Sequence, residues 1–207
     1  MRRDRASGFA TFTACALVLG LAGCGARRPA TGPTYGVYSG AFRATDVPDV
    51  RFRVWLFART PGRLHAEILG PAGGTRVVID GGNGNLAVTL VSEGESYVGP
   101  ADPEGVASAL GLRVSLDDLV TAFVAGEQSA ASALPFLRDP LSGAGLPRRF
   151  EAQAGGRVLM LELRSERPLA VPAESLGTGL PPGGTTLRPL RELRGGPWEP
   201  PPKMVFP

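Results

Sequence analysis

The chain contains a single histidine, His65, which lies two residues before Glu67 in the run RLHAEIL. An imidazole beside a carboxylate has the residue types needed for general acid–base catalysis. Residues two positions apart on a β-strand point to the same side of the sheet, so the pair is also typical of a solvated strand face. The strand face is the more common arrangement. We therefore predict no catalytic residue, and we do not expect this chain to be an enzyme.

Three other patterns have residue types found in active or binding sites. Asp117 and Asp118 lie where a helix is predicted to begin, and the helix dipole stabilises negative charge at that end. A metal site would need further ligands near these two carboxylates. The run DGGNGN at 80–85 is rich in Gly and Asn, but it lacks the Lys and following helix of a phosphate-binding loop. It is also short of the acidic ligands of a calcium loop, so it indicates a hairpin. No G-x-S-x-G motif occurs. The sequence predicts no metal site and no cofactor.

The two cysteines of the chain both lie near its N-terminus, within or just after an apolar segment. The basic start MRRDR is followed by small and apolar residues from Ala6 to Ala22, which is shorter than a typical membrane span and typical of a secretory signal. Leu21, Ala22, Gly23 and Cys24 resemble the lipobox of bacterial lipoproteins. The resemblance implies cleavage before Cys24 and a covalent lipid, including palmitate, on that residue. An ordinary signal with a chance cysteine, or an uncleaved anchor, is the alternative.

This interpretation divides the chain into a signal peptide at 1–23, a lipidated flexible tether at 24–34 and a single domain at 35–207. Cys15 would be removed with the signal, so the mature domain has no thiol for a disulfide or a metal. Removing residues 1–23 lowers the basic count from 22 to 19 and the acidic count from 19 to 18. A near-balanced charge argues against a nucleic-acid partner. By resemblance to bacterial sorting rules, Gly25 after the cysteine implies the outer membrane, facing the periplasm.

Residues 37–99 alternate between apolar and polar positions, with short turns between the runs. This pattern predicts consecutive antiparallel strands, and the absence of an intervening helix disfavours a parallel arrangement. One face of these strands carries a continuous apolar set: Phe52, Val54, Leu56, Leu64, Ala66, Ile68, Val77, Ile79, Leu86, Val88 and Leu90. The opposite face also carries Trp55, Phe57 and Leu69, so the sequence leaves open which face is concave.

The periodicity changes after residue 100. Asp102 followed by Pro103 predicts a capped helix start, and Ser115 with Asp118 is similar to a capping box. The second helix is predicted to end at Gly126 and to present an apolar stripe: Leu116, Leu119, Val120, Phe123 and Val124. A third helical piece is predicted at 129–136.

Strands return after the helices. The runs RRFEAQ and RVLMLELR predict two strands, with Leu159, Leu161 and Leu163 on one side. Residues 168–207 contain 10 of the 20 prolines, which disfavours helices and central strands. We expect only extended pieces there, in TTLRPLREL and KMVF.

The order of lipobox, tether, antiparallel strands, GPAGGT hairpin and two short helices resembles that of the LolB-type lipoproteins, the outer-membrane receptors for lipoproteins, and of their LolA-like relatives. The matching stretch covers about 52–126, with GRLHAEILGPAGGT and ALGLRVSLDDLVTAFVAG as its most specific parts. The resemblance implies an α+β fold that is mainly antiparallel β. It would be an unclosed, curved β-barrel with an apolar concave face and a short helical lid.

On this fold, the apolar strand set would line a groove for acyl chains, and the helical stripe would form the lid. The alternative is an ordinary filled core with no cavity. The resemblance also implies the function, which is to accept lipoproteins from a LolA-like periplasmic carrier and insert them into the outer membrane. The expected partners are acyl chains, that carrier and the membrane, and we expect a monomer.

One hairpin departs from the family pattern. The stretch Gly70, Pro71, Ala72 and Gly73 would face the membrane, and LolB-like proteins present an exposed aliphatic side chain there. Ala72 buries little area, so the insertion step is in question. A structural or scaffolding envelope lipoprotein that uses the same fold only for protein contacts is therefore the second hypothesis, and an envelope enzyme is a remote third.

Overall fold

The computed structural model describes residues 34–44, 47–125, 136–138, 142, 145–154 and 157–193. All the described residues belong to one unit of the chain, which begins after residue 31. The predicted signal peptide, Cys24, the helical piece at 129–136 apart from Phe136, and the extended piece KMVF lie outside the described residues. No helix in the described ranges is long and apolar enough to cross a membrane.

The described residues form one open sheet of ten strands with two α-helices. The strands are β1 Thr34–Ala44, β2 Val47–Arg59, β3 Arg63–Leu69, β4 Thr75–Gly82, β5 Asn85–Leu90, β6 Glu95–Pro100, β7 Phe136–Arg138, β8 Arg149–Ala154, β9 Arg157–Pro168 and β10 Thr186–Pro189. Their spatial order is β10-β6-β5-β4-β3-β2-β1-β9-β8-β7. The helices are α1 Pro103–Leu110 and α2 Leu116–Ala125.

The predicted antiparallel meander and the α+β class are confirmed. Strands β1 to β6 pair consecutively, and β9 then returns to pair with β1 on its free side. The C-terminal part differs from a simple meander, because β10 pairs parallel to β6 at the edge of the sheet. An edge position suits this strand, since its last residue is Pro189, which has no N–H to donate to a neighbour.

Strand register places the predicted apolar set on one face of the sheet. Leu56 lies opposite Ala66, Ala66 opposite Ile79 and Ile79 opposite Val88 across four successive strands. Directly opposed residues of antiparallel strands share a face and pack side by side. All four are buried, at 7% exposure or less, in one continuous core. We call this side of the sheet the inner face and the other side the outer face.

Both helices begin where capping chemistry predicts. The side chain of Asp102 accepts a hydrogen bond of 2.7 Å from the Gly105 amide, and Pro103 opens α1. At α2, the Asp118 amide donates to the Ser115 hydroxyl at 3.1 Å, and that hydroxyl donates to the Asp118 carboxylate at 2.7 Å. These bonds satisfy amides that a helix start leaves unpaired. They also fix the angle at which α2 leaves the link from α1.

The contacts of α2 show that the sheet is curved. The helix packs against β2 and β3, while the ring of Phe123 lies 5.8 Å from that of Tyr38 on β1 and 5.2 Å from that of Phe150 on β8. Strands β3 and β8 are four steps apart in the sheet, which is roughly 19 Å if the sheet is flat. A helix is only about 10 Å wide, and the 10 residues of α2 are about 15 Å long, so this helix reaches both strands because the sheet bends around it.

We predict that Gly105→Ala destabilises the protein, against the trend of helix propensity. Alanine is a better helix former than glycine by about 1 kcal/mol. A Cβ at residue 105 would, however, overlap the carbonyl oxygen of Pro100 at the end of β6. We expect a net loss of about 1–3 kcal/mol in the free energy of unfolding, measured by urea denaturation.

Ser108→Ala in the same helix is the matched control, because Ser108 bonds only to the Glu104 carbonyl in the preceding turn. This control is expected to leave the stability within about 0.5 kcal/mol of the parent protein. A stabilised Gly105→Ala variant would show that α1 does not pack closely against β6.

Candidate functional site: an apolar chamber beneath a helix

An apolar chamber lies between the inner face of the sheet and α2. Seven elements contribute its walls, and every side chain that lines it is hydrocarbon: Phe52, Val54, Leu56, Ala58, Leu64, Ala66, Ile68, Ile79, Leu110, Leu119, Val120, Phe123, Phe150, Leu159 and Leu161. A cavity with no polar partner for water is expected to be dry. The chamber is therefore suited to hydrocarbon and not to a polar ligand.

The chamber is small. Its volume is about 60 Å³, whereas a cavity of about 150 Å³ is known to admit a molecule as small as benzene. The side chains of α2 occupy most of the space between the helix and the sheet. The arrangement described here is thus a nearly filled core with a residual gap, and it has no room for a long acyl chain.

The structure brings most of the predicted groove residues together. Phe52, Val54, Leu56, Leu64, Ala66, Ile68 and Ile79 line the chamber. Val77, Leu86 and Val88 are buried farther along the same core, and Leu90 is partly buried against it. These four residues lie in β4 and β5, towards the β10 edge of the sheet and away from the chamber.

The predicted lid stripe is on the side of α2 that meets the sheet. Leu119, Val120 and Phe123 line the chamber. Leu116 is buried in the core beside them, at 2% exposure, and Val124 is partly buried against it. The placement of the stripe follows from the helical repeat, since residues three and four apart lie on one side.

Sequence reasoning missed five chamber residues as members of the lining: Ala58, Leu110, Phe150, Leu159 and Leu161. Ala58 continues the alternation of apolar residues on β2, so the sequence already indicates that its side chain lies on the inner face. Leu159 and Leu161 share a strand face, but only the pairing of β9 with β1 brings that face to the chamber. Phe150 reaches it because β8 pairs with β9, and this order is a property of the tertiary fold.

The hairpin at Gly70–Gly73 is an exposed tight turn at the end of β3. The Gly73 amide donates to the Gly70 carbonyl at 2.9 Å, and the Gly70 amide donates to the Gly74 carbonyl at 2.8 Å. Pro71 and Ala72 are exposed at its tip. The hairpin therefore presents small side chains to the solvent, as its sequence indicates.

His65 lies on the outer face, away from the chamber, and both of its ring nitrogens meet carboxylates. Nδ1 lies 2.8 Å from an oxygen of Asp80, and Nε2 lies 3.3 Å from an oxygen of Glu67. Two carboxylates can both accept from the ring only if it carries two N–H groups. The geometry therefore favours the imidazolium form.

Asp80 also binds a segment from the C-terminal part of the chain. The amides of Gly177 and Gly179 donate to its two oxygens at 3.2 and 2.7 Å. Both glycines have positive φ, of 62° and 73°, a conformation that L side chains rarely adopt and that lets both amides turn towards one carboxylate. We call residues 173–180 the C-terminal strap.

The strap is held at a second point by Arg63 on β3. Its guanidinium donates to the carbonyl oxygens of Glu174 at 2.8 Å and Gly177 at 3.1 Å, and also to that of Leu176. The strap thus crosses the outer face next to the His65 cluster. Asp80 joins the imidazole to the strap, whereas Glu67 bonds to His65 and to the Thr75 hydroxyl. The His65 side chain is only 18% exposed, so the cluster is not the solvated strand face that the sequence predicts.

In the cluster, the positive charge of His65 and the negative charges of Asp80 and Glu67 stabilise one another. Burial by itself lowers the pKa of His65, but hydrogen bonds and charges from Asp80 and Glu67 outweigh it and raise the pKa to about 9. Burial alone would raise the pKa of Asp80, yet bonds from His65 and from the strap amides bring it below its usual value. A hydrogen bond from His65 also lowers the pKa of Glu67. The three groups are thus charged together in the neutral range.

Asp117 and Asp118 are not part of the cluster formed by His65, Glu67 and Asp80. Asp118 caps its own helix, as described above. Within the described residues, no group of three or more His, Cys, Asp or Glu side chains is placed to hold a metal ion.

No family model matches the chain, and no curated protein matches its sequence. Among solved structures, the fold is similar to that of a LolA superfamily protein from Nitrosomonas europaea, with a TM-score of 0.43 and 12% identity. The alignment covers 70% of this chain and 90% of the other. At this level of similarity, what the chain does has to be argued from its own residues.

We predict that the His65 cluster makes stability depend on pH. The folded-state pKa of His65, about 9, lies above its unfolded value of 6.5, so its contribution is complete below pH 6.5 and is lost as the pH rises through 9. The lost stability should be on the order of 2 kcal/mol, measured by urea denaturation at pH 6 and pH 9.5.

In His65→Gln this decrease should largely disappear, because glutamine does not titrate. Asp80 and Glu67 act in the opposite direction, since their lowered pKa values mean that their contribution is lost as the pH falls through the acidic range. An equally steep loss between pH 6 and 9.5 in the variant would contradict the role given to His65.

Proposed function

We propose that this chain is an envelope lipoprotein that binds acyl chains between its sheet and α2 and acts in the reception of lipoproteins at the outer membrane. The observation that carries the proposal is the all-hydrocarbon lining of the chamber, to which α2 and both halves of the sheet contribute. A binding role of this kind needs no bond-making step. It requires only a surface that matches the cargo.

An acyl chain can enter only if α2 moves away from the sheet, because the present volume of about 60 Å³ is too small. The side chains by which α2 is buried are all apolar: Leu116, Leu119, Val120, Ala122 and Phe123. The Leu116 amide donates to the Ala101 carbonyl at 3.1 Å, which ties the first residue of the helix to the end of β6. We infer that α2 swings about this end.

Such an exchange replaces one hydrocarbon contact with another. Each buried CH₂ is worth about 0.8 kcal/mol, so exposing a chain of roughly 16 carbons to water would cost on the order of 10 kcal/mol. A chain that takes the place of the α2 side chains avoids this cost. Handover from a carrier with a similar groove can then proceed with a small net change in free energy.

Location and partners belong to the same proposal. Lipidation at Cys24 would hold the domain at the outer membrane on its periplasmic side, where a LolA-like carrier would deliver acylated proteins. In that LolB-like role, the monomeric domain would work without a large aliphatic side chain at the hairpin tip, because residue 72 there is an alanine.

A second candidate is favoured by the small size of the chamber. If α2 never leaves the sheet, the domain is a rigid lipoprotein that makes protein contacts with its exterior. Leu180 and Leu187 are each 65% exposed, which provides apolar contact area outside the core. The two candidates differ in one measurable property, which is whether hydrocarbon enters beneath α2.

We predict that Ala66→Leu weakens acyl binding. Ala66 is 4% exposed and lies in the chamber wall on β3. A leucine there would fill the remaining gap and occupy the space that a chain needs. The test mixes residues 25–207 with an acylated lipoprotein bound to its periplasmic carrier and measures transfer by co-purification.

Phe57→Leu is the matched control, because Phe57 is equally buried, at 4% exposure, but does not line the chamber. It is expected to lower stability by about 1 kcal/mol and to keep transfer. Absence of transfer to the folded parent protein would favour the second candidate. Undiminished transfer to a folded Ala66→Leu variant would place acyl binding elsewhere.

We predict that Cys24→Ala loses its lipid. With no thiol at residue 24, incorporation of labelled palmitate should stop, and a high-salt wash should release the protein from the outer-membrane fraction. Cys15→Ala is the control and should retain both the label and the location. Continued labelling of Cys24→Ala would show that the lipobox interpretation is wrong.

A further inference from the structure

A large open depression lies mainly on the outer face of the sheet, opposite α2. Its volume is about 1330 Å³, and its walls come from β1, β2, β8, β9 and the hairpin at Gly70–Gly73. It is distinct from the chamber, although Phe52 and Leu161 border both. Its chemistry is different, because eight of the residues that line it are charged.

Arginine is the characteristic residue of this depression. Six line it: Arg43, Arg51, Arg53, Arg148, Arg149 and Arg164. The acidic residues among its lining are Glu162 and Glu166, so the excess is four positive charges. The charges of the predicted mature chain nearly cancel, so this excess is local.

Strand alternation and register explain why these arginines converge. Arg51 and Arg53 are two apart on β2, and their partners on β1 are Ala41 and Ser39, also on the outer face. Arg164 of β9 donates to the Ser39 hydroxyl at 2.8 Å, which places it beside Arg53. Arg149 of β8 lies opposite Glu162 on β9. All of these arginines are exposed.

We propose that this depression docks the domain on an anionic membrane surface by binding lipid phosphates. The proposal rests on the membrane anchoring set out under the proposed function. A guanidinium presents a planar fork of donors that matches phosphate oxygens, so exposed arginines from neighbouring strands form a suitable surface for several headgroups. Each basic side chain near an anionic leaflet adds to the attraction.

Two features favour a membrane over an acidic protein as the occupant. Trp55 lies two residues beyond Arg53 on the same side of β2, is 37% exposed and has its ring 5.8 Å from that of Tyr35. Exposed tryptophan beside basic residues is typical of membrane–water interfaces. Pro71, at the exposed hairpin tip, lines the same depression.

The predicted tether gives a further reason. Nine residues, 25–33, separate Cys24 from the first residue of β1, so a lipid on Cys24 would hold β1 within about 30 Å of the membrane. Ser39 and Ala41 of this strand line the depression. Docking through the outer face would turn α2 away from the membrane, towards an incoming carrier.

The test measures how residues 25–207, without the lipid, partition onto vesicles. Vesicles of phosphatidylethanolamine and phosphatidylglycerol at 7:3 are compared with phosphatidylcholine vesicles by co-sedimentation at low and high salt. We expect binding to the anionic vesicles only, decreasing with salt. The double variant Arg51→Glu and Arg53→Glu should bind the anionic vesicles about tenfold or more weakly.

The control is Arg59→Glu with Arg191→Glu, which changes the net charge equally at exposed positions outside the depression. It should retain most of the binding. Arg51→Gln with Arg53→Gln provides a milder variant if the charge reversal impairs folding, judged by circular dichroism.

Equal binding to both vesicle types, no binding, or equal loss in the control pair would overturn the proposal. Binding to polyglutamate but not to anionic vesicles would also overturn it and indicate an acidic protein partner. Ala66→Leu should bind vesicles like the parent protein. A failure of acyl transfer can therefore be distinguished from a failure of docking.

Discussion

The packing of α2 across the curved sheet is the interaction on which the rest of this structure depends. Phe123 meets rings from β1 and β8, while the same helix packs against β2 and β3, so one element joins strands four steps apart. Hydrophobic burial supplies the attraction and has no directional requirement. A contact made of hydrocarbon alone can hold the helix in place and can also be replaced by another hydrocarbon. The proposed acyl binding depends on this property.

The two faces of the sheet are stabilised by different physics. The inner face is covered by helices through apolar packing, whereas the outer face is tied to the C-terminal strap by directed bonds to Asp80 and Arg63. Directed bonds fix a segment in one geometry, because a buried polar group left without its partner is costly. The strap therefore reinforces β3 and β4 from outside, while the inner contact with α2 contains no such fixed pairing among the chamber-lining side chains.

Much of the fold could be predicted from the sequence because alternation and capping are local. The faces of β2 to β5, the starts of α1 and α2, and the Asn83–Gly84 turn all follow from residues close together in the chain. The candidate site was only partly predictable. Seven of the expected groove residues line the chamber, but Phe150 and Leu161 join them through the pairing of β9 with β1 and β8 with β9.

The sequence by itself determined which side chains share a strand or helix face, because these periodicities are properties of the backbone. It also determined the charge balance and the terminal run that ends at Cys24. Only the tertiary structure decided which face is concave, that Asp80 binds both His65 and the strap, and that outer-face arginines from four strands surround one depression. It also decided that the chamber is nearly filled, since the remaining volume depends on how closely α2 approaches the sheet. These features depend on strand order and on contacts between residues far apart in the chain, which no local pattern encodes.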